Sequence, residues 1–221
     1  MKKKERNTEE VRAELFQRYP SLTACRAEFD AAFRLIREAY VSGGRLLVAG
    51  NGGSAADAEH IVGELMKSFL FNRAIEPDVK GKLALFGEEG EILAGKLEGA
   101  LPAIPLTSMP ALTTAVINDA DATVDFAQKL YGYGRKGDVF LGITTSGNSK
   151  NIVYALMVAR ARGIRTVILT GGTGGRCRDM ADVSIVVPEK ETFKIQELHL
   201  PVYHALCSML EADLFEEVKK Q

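Results

Sequence analysis

Five short apolar runs, at about residues 45–50, 103–107, 138–143, 165–170 and 182–187, recur along this chain with helical stretches between them, around 54–70, 109–117, 123–134, 149–162, 174–180 and 192–217. Strands that alternate with helices predict an α/β fold: a doubly wound parallel sheet of about five strands, buried on both faces by its crossover helices. The 221 residues suit one such domain. Ligands of an open sheet of this kind sit beyond the carboxyl ends of the strands. Ahead of the first run, Phe29, Ala32, Phe33, Ile36 and Tyr40 follow helical spacing from about Leu22 until Gly43-Gly44 interrupts it. The chain therefore divides into an N-terminal helical segment, 1–43, and a sheet domain, 44–221, that closes on a long C-terminal helix. Residues 71–102 break the rhythm and read as an insertion of short helices or a hairpin. A connection of this length is uncommon unless it closes a site or forms an interface.

The first strand runs into Gly50-Asn51-Gly52-Gly53-Ser54 and then Ala55-Ala56-Asp57-Ala58-Glu59-His60-Ile61-Val62-Gly63-Glu64. Glycines allow the positive φ angles and close backbone approach of a loop wrapped around an anion. The helix that follows offers unpaired N–H groups and the positive end of its dipole to the same anion. His60 and Glu64 lie four residues apart, on one helix face and about 6 Å apart along the axis. Phosphate, metal and base are thus expected in one small volume.

The pattern returns after the third strand, where Thr144-Thr145-Ser146-Gly147-Asn148-Ser149 precedes the helix beginning Lys150-Asn151-Ile152. Hydroxyls at 144, 145, 146 and 149 can donate to phosphate oxygens, with no Walker-type lysine to suggest a nucleoside triphosphate. A sugar monophosphate is the better match. Ser146 and Ser149 also suit plain helix N-caps, and it is the pairing with the first loop that favours phosphate.

Composition narrows the function further. A net charge of −1 gives no electrostatic footprint for nucleic acid. Acidic and polar residues follow the basic opening Met1-Lys2-Lys3-Lys4, and no apolar span of membrane length occurs, so a cytoplasmic location away from membranes is expected. Cys25, Cys177 and Cys207 are odd in number and lack metal-ligand spacing, which reads as three reduced thiols. Histidine occurs three times, as His60, His199 and His204. Imidazole is both a common ligand of divalent metals and the side chain best suited to proton transfer near neutral pH. His199, flanked by leucines, reads as a packing residue. Gln196 and His204 are eight residues apart, about 12 Å along a continuous helix. To meet at one metal, Gln196 must precede the regular helix, Pro201 must distort it, or the two side chains must come from different subunits.

Together these motifs resemble the sugar-isomerase (SIS) domain family and, within it, the phosphoheptose isomerases. The residues that carry the resemblance are Gly50 to Ser54, His60 with Glu64, Asn118-Asp119, Thr144 to Ser149, and Gln196-Glu197 with His204. The resemblance implies substrate contacts at Asn51, Gly52, Gly53, Ser54, Glu64, Asn118, Asp119, Thr144, Thr145, Ser146, Ser149 and Gln196. It implies one zinc ion per subunit, held by His60, Glu64, Gln196 and His204, with Glu64 and His204 moving protons. It further implies a homotetramer with active sites at subunit interfaces, converting sedoheptulose 7-phosphate to D-glycero-D-manno-heptose 7-phosphate. The chain departs from the family pattern in its 71–102 segment, in Lys194 where arginine is common, and in Thr144 where serine is frequent. The implied chemistry is coherent: moving a carbonyl between C2 and C1 through an enediol(ate) needs a base at carbon, an acid at oxygen and an electrophile. The alternatives are an isomerase of another ketose phosphate and a noncatalytic SIS protein that senses a sugar phosphate or binds a partner. A pure binder has no need of Glu64, Gln196 and His204 together.

Overall fold

The computed structural model describes residues 6–216, so the basic opening Met1–Glu5 lies outside the described residues. Its centre is a five-stranded sheet of β1 (Leu46–Gly50), β2 (Ala103–Pro105), β3 (Val139–Thr144), β4 (Arg165–Thr170) and β5 (Val183–Val186), in the order β2-β1-β3-β4-β5 and parallel throughout. All residues of β1 and β3 are buried, as uninterrupted apolar strands require. β2 is short and occupies an edge, the position that tolerates Pro105, which has no N–H to give to a ladder.

Ten α-helices complete the described chain, with two short 3-10 helices at Pro20–Cys25 and Ala122–Val124: α1 (Thr8–Arg18), α2 (Arg26–Val41), α3 (Gly53–Met66), α4 (Pro77–Ala84), α5 (Glu88–Lys96), α6 (Pro110–Asp119), α7 (Asp125–Tyr133), α8 (Lys150–Ala161), α9 (Gly175–Met180) and α10 (Thr192–Glu216). On one face of the sheet Leu46, Val48, Leu141 and Ile143 pack under α2, α3 and α10 through Phe29, Ile36, Ile61, Leu65, Val202 and Leu206. On the other, Leu47, Ala49, Phe140 and Ile168 pack under α7 and α8 through Phe126, Leu130, Ile152 and Leu156. Burial of each such side chain contributes roughly 1.5–3 kcal/mol. Because α3 leaves β1 on one face and α8 leaves β3 on the other, the chain switches direction between these neighbouring strands. A crevice opens at their carboxyl ends, where both hydroxyl- and glycine-rich loops lie.

The N-terminal segment holds an α-helix, α1, and a 3-10 turn at Pro20–Cys25 ahead of the helix its periodicity predicts. α1 starts at a capping box, in which Asn7 accepts from the Glu10 N–H and Glu10 accepts from the Asn7 N–H. It buries only Val11 and Leu15, too short an apolar stripe to stand out in sequence. The irregular 71–102 stretch folds largely into the pair α4 and α5, joined by a turn that leaves Leu85 85% and Phe86 78% exposed.

Buried charge fixes the exit from α3. Arg73 and Glu211 form an ion pair at 2.7 Å with both side chains inaccessible to solvent. Arg73 also donates to the carbonyls of Leu65 and Glu64, at 2.6 and 2.9 Å, while Glu211 accepts the backbone N–H groups of Phe69 and Leu70. The pair therefore caps the C-terminal end of α3 and ties it to α10. Among the described residues no helix is long and apolar enough to cross a membrane. The three cysteines are free and buried, and burial pushes the thiols of Cys25 and Cys177 up to about 11, as inert packing residues require.

Candidate active site

The β1 turn bends at Gly52, whose φ of 57° an L side chain rarely adopts. At the next residue a side chain would collide with α10, since a Cβ on Gly53 would stand 2.6 Å from Gln196 Nε2. α3 and α8 both begin without a side-chain N-cap; Ser54 and Ala55 N–H bond the Asn51 and Gly52 carbonyls and Ile152 N–H the Asn151 side chain, which leaves Gly53 N–H and the Lys150 and Asn151 N–H groups for an anion. Thr144, at the end of β3, is buried and shares a 3.0 Å hydrogen bond with the Ser149 hydroxyl, while Ser146 is exposed at the turn and accepts from Asn148 N. Thr145 is half-buried and Ser54 is buried in the first turn of α3. Asn51 and Asn151 exchange two side-chain hydrogen bonds of 3.0 and 2.8 Å across the crevice, so the two loops are linked by a residue, Asn151, that the sequence reading passed over.

About 10 Å further along α3, His60 meets α10. Its Nε2 lies 3.2 Å from Glu64 Oε1 and 3.5 Å from His204 Nε2. α3 and α10 run side by side in the same direction, Gly53 facing Gln196 and His60 facing His204. Gln196 stands inside α10, which is continuous through Pro201. Of the three ways for Gln196 and His204 to share a metal, a start of the helix after Gln196 is thereby removed. The four-ligand set does not converge within one subunit: His60 meets Glu64 and His204, whereas Gln196 lies beside Gly53 at the turn after β1. Asn118 and Asp119 close α6, just ahead of the Ala122–Val124 turn that packs against α8. They are exposed at the far end of α6, paired with each other at 2.7 Å.

Among the described residues no group of three or more histidine, cysteine or acidic side chains is arranged to hold a metal ion. What is in place is a cluster of electron-rich atoms. Tyr203 donates its proton to Asp57 Oδ1 at 3.3 Å, so its oxygen, 3.0 Å from His60 Nδ1, accepts an N–H from that ring. His60 Nε2 then turns a lone pair toward a carboxylate and a second imidazole, which only a proton or a cation between them can reconcile. With zinc–donor lengths of 2.0–2.2 Å, the edges of a tetrahedral site are about 3.3–3.5 Å, and both separations at His60 Nε2 lie close to that range. His60, Glu64 and His204 thus offer donor types that suit zinc, with two edges near the required length. Glu64 Oε2 is buried with no hydrogen-bond partner among the described residues, the nearest charge being Lys67 Nζ at 3.7 Å. Burial, and then the neighbouring His60, hold the His204 imidazole below its ordinary value, against the opposing pull of Glu64. Burial first, and then the Asp57 carboxylate, push the Tyr203 phenol upward, so it keeps its proton.

His199 lies outside this cluster, fully buried on α10, with neither ring nitrogen in a well-formed hydrogen bond. Burial pushes it down to about 4. Its folded-state value is below the unfolded one, so the unfolded chain binds the extra proton as pH falls. Stability from this group is complete above about pH 6.5 and is lost toward pH 4. Between pH 7 and pH 5 the loss is expected to be about 2 kcal/mol. Urea unfolding should show that slope flattened by this amount in His199→Leu, and an unaltered slope would rule the assignment out.

The SIS domain family matches this chain over residues 20–98 and 85–171. The phosphoheptose isomerase of Geobacter sp. (strain M21) is 36% identical over 211 residues, which is 94% of this chain and 97% of that protein. The phosphoheptose isomerase of Aneurinibacillus thermoaerophilus is 39% identical over 178 residues, 80% of this chain and 77% of that protein. The solved structure of phosphoheptose isomerase GmhA from Neisseria gonorrhoeae aligns with a TM-score of 0.70 at 30% identity, over 90% of this chain and 94% of that one.

Proposed function

From the premise that the chain belongs to the phosphoheptose isomerase family of SIS-domain proteins, and is an aldose–ketose isomerase, we propose that it converts sedoheptulose 7-phosphate to D-glycero-D-manno-heptose 7-phosphate through an enediol(ate) in the cytoplasm. The observation that carries the proposal is the meeting of His60, Glu64 and His204 about 10 Å along α3 from an uncapped, glycine-lined helix start. A substrate anchored by its phosphate at the loops would then react at its far end, as a long sugar phosphorylated on its terminal carbon does at C1 and C2.

The amides of α3 and α8, with Thr144, Thr145, Ser146 and Ser149, take the phosphate. Asn51, Gly52, Gly53 and Gln196 line the path from there. Glu64 removes the proton from C1 and returns one at C2, while His204 supplies the proton at the C2 oxygen and then takes the one that leaves the C1 hydroxyl. His60, Glu64 and His204 would hold one zinc ion per subunit, which when bound polarises the carbonyl and stabilises the negative oxygen. The two oxygens of Glu64 allow one carboxylate two roles, since Oε1 faces the ring nitrogens and Oε2 has no hydrogen-bond partner. As a zinc ligand Gln196 would come from a second subunit or through distortion of α10 at Pro201, and the first route goes with a homotetramer whose active sites are shared.

The test is a comparison of kcat/KM for sedoheptulose 7-phosphate against pentulose and hexulose phosphates. A preference of tenfold or more for the heptulose is expected, and an equal or better rate with a shorter ketose would overturn the substrate assignment. Ser146→Ala removes one charge-assisted hydrogen bond to phosphate and is expected to raise KM about tenfold with kcat within about twofold. A variant that lost kcat instead would place Ser146 in the chemical step.

A further inference from the structure

We propose that Tyr203 and Asp57 are positioning residues that lock His60 as its Nδ1–H tautomer, so that Nε2 presents a lone pair to the corner formed by Glu64 and His204. The inference rests on the reading of His60 as a metal ligand in the reaction just described.

Three observations converge on it. Asp57 and His60 are three residues apart on α3 and share a face, so both can reach one group on α10. That group is the Tyr203 hydroxyl, 3.3 Å from Asp57 Oδ1 and 3.0 Å from His60 Nδ1, on a side chain only 1% exposed. The Tyr203 and His60 rings meet edge to face, with centroids 5.5 Å apart and planes at 73°, which fixes the imidazole rotamer as well. A carboxylate accepts and cannot donate, so the tyrosine proton goes to Asp57 and the tyrosine oxygen can only accept from His60. The direction of the whole chain, from His60 Nδ1–H to Tyr203 to Asp57, is therefore set by the carboxylate at its end. Metal-binding histidines are commonly oriented through the ring nitrogen away from the metal, and loss of such a partner weakens metal binding about 10–100-fold. Here the orienting carboxylate acts at one remove, through a tyrosine that adjoins His204 in the chain.

An aspartate-to-asparagine change separates this role from simple packing. The amide of Asp57→Asn can donate to the Tyr203 oxygen, whose own proton then turns to His60 Nδ1 and drives the ring to the Nε2–H form. The analogous substitution in serine proteases has that consequence for the catalytic histidine.

The experiment is nitrogen-15 NMR of histidine-labelled, zinc-free full-length protein, followed by zinc titration against a competing chelator. Wild type is expected to show His60 as Nδ1–H, Tyr203→Phe a mixture of tautomers, and Asp57→Asn a shift to Nε2–H. Both variants should bind zinc about 10–100-fold more weakly with an unchanged affinity for inorganic phosphate. A wild-type His60 in the Nε2–H form, or variants with the wild-type tautomer, would overturn the proposal. Because the tautomer is read without metal, a wild type that failed to bind zinc at all would refute the metal assignment and leave the test of the orienting pair intact.

Discussion

Glu64→Gln is expected to lower kcat by about 10³-fold or more, because general acid–base catalysis by a positioned carboxylate is worth 10²–10⁴ and the amide can neither take a proton from carbon nor ligate zinc as an anion. The substitution is nearly isosteric, and Glu64 lies about 16 Å along α3 from the glycine turn after β1. Binding of a phosphate ligand at Gly53 and Ser146 should therefore persist within about threefold. Stopped assays with the heptulose phosphate, paired with phosphate binding by calorimetry, separate the two effects. A variant with wild-type turnover would remove Glu64 as the base. One that lost phosphate binding as well would show that the two ends of α3 do not act independently.

Arg73→Met is expected to be the most damaging single change to stability. It leaves Glu211 charged, buried and short of its partner, a situation that costs about 3–5 kcal/mol. For a chain of this length that corresponds to a fall in Tm of roughly 10 °C. It also removes the donors to the Glu64 and Leu65 carbonyls, so the last turn of α3, which carries Glu64, loses its cap. The companion variant Arg73→Met/Glu211→Leu eliminates the stranded charge and should recover part of the loss. Recovery is incomplete, since Phe69 N and Leu70 N then lack the carboxylate that accepts them. Thermal unfolding of the two variants decides the matter, and an Arg73→Met protein that melts with wild type would mean that the buried pair does not brace the helix.

The fold was legible because its signals are local. β1, β3, β4 and β5 are apolar runs bounded by turns, and each falls within about a residue of its expected place. The glycines of the β1 turn and the hydroxyls after β3 announce helix starts open to an anion for equally local reasons. Less legible were features whose cause is tertiary. α1 draws its burial from α10, and its sequence clue, Asn7 followed three residues later by Glu10, is a capping box that was overlooked. The α4–α5 pair has few apolar contacts with the sheet to impose a pattern. His60 and Glu64 stand out because they are four residues apart, but Asp57 and Tyr203 become meaningful only when α3 and α10 lie parallel. Gln196 shows the converse: its motif suggests a ligand beside His204, whereas helix geometry holds the two about 12 Å apart within one subunit.

The measurement that tests the central claim most directly is proton and carbon NMR of the purified protein with sedoheptulose 7-phosphate in deuterated water, after chelation and again with zinc restored. The account predicts heptose 7-phosphate carrying deuterium at C2, with turnover that depends on zinc. Product without deuterium at C2 would contradict an enediol route open to solvent, zinc-independent turnover would contradict the role given to the His60–Glu64–His204 corner, and a folded protein giving neither product nor exchange would contradict the heptose assignment.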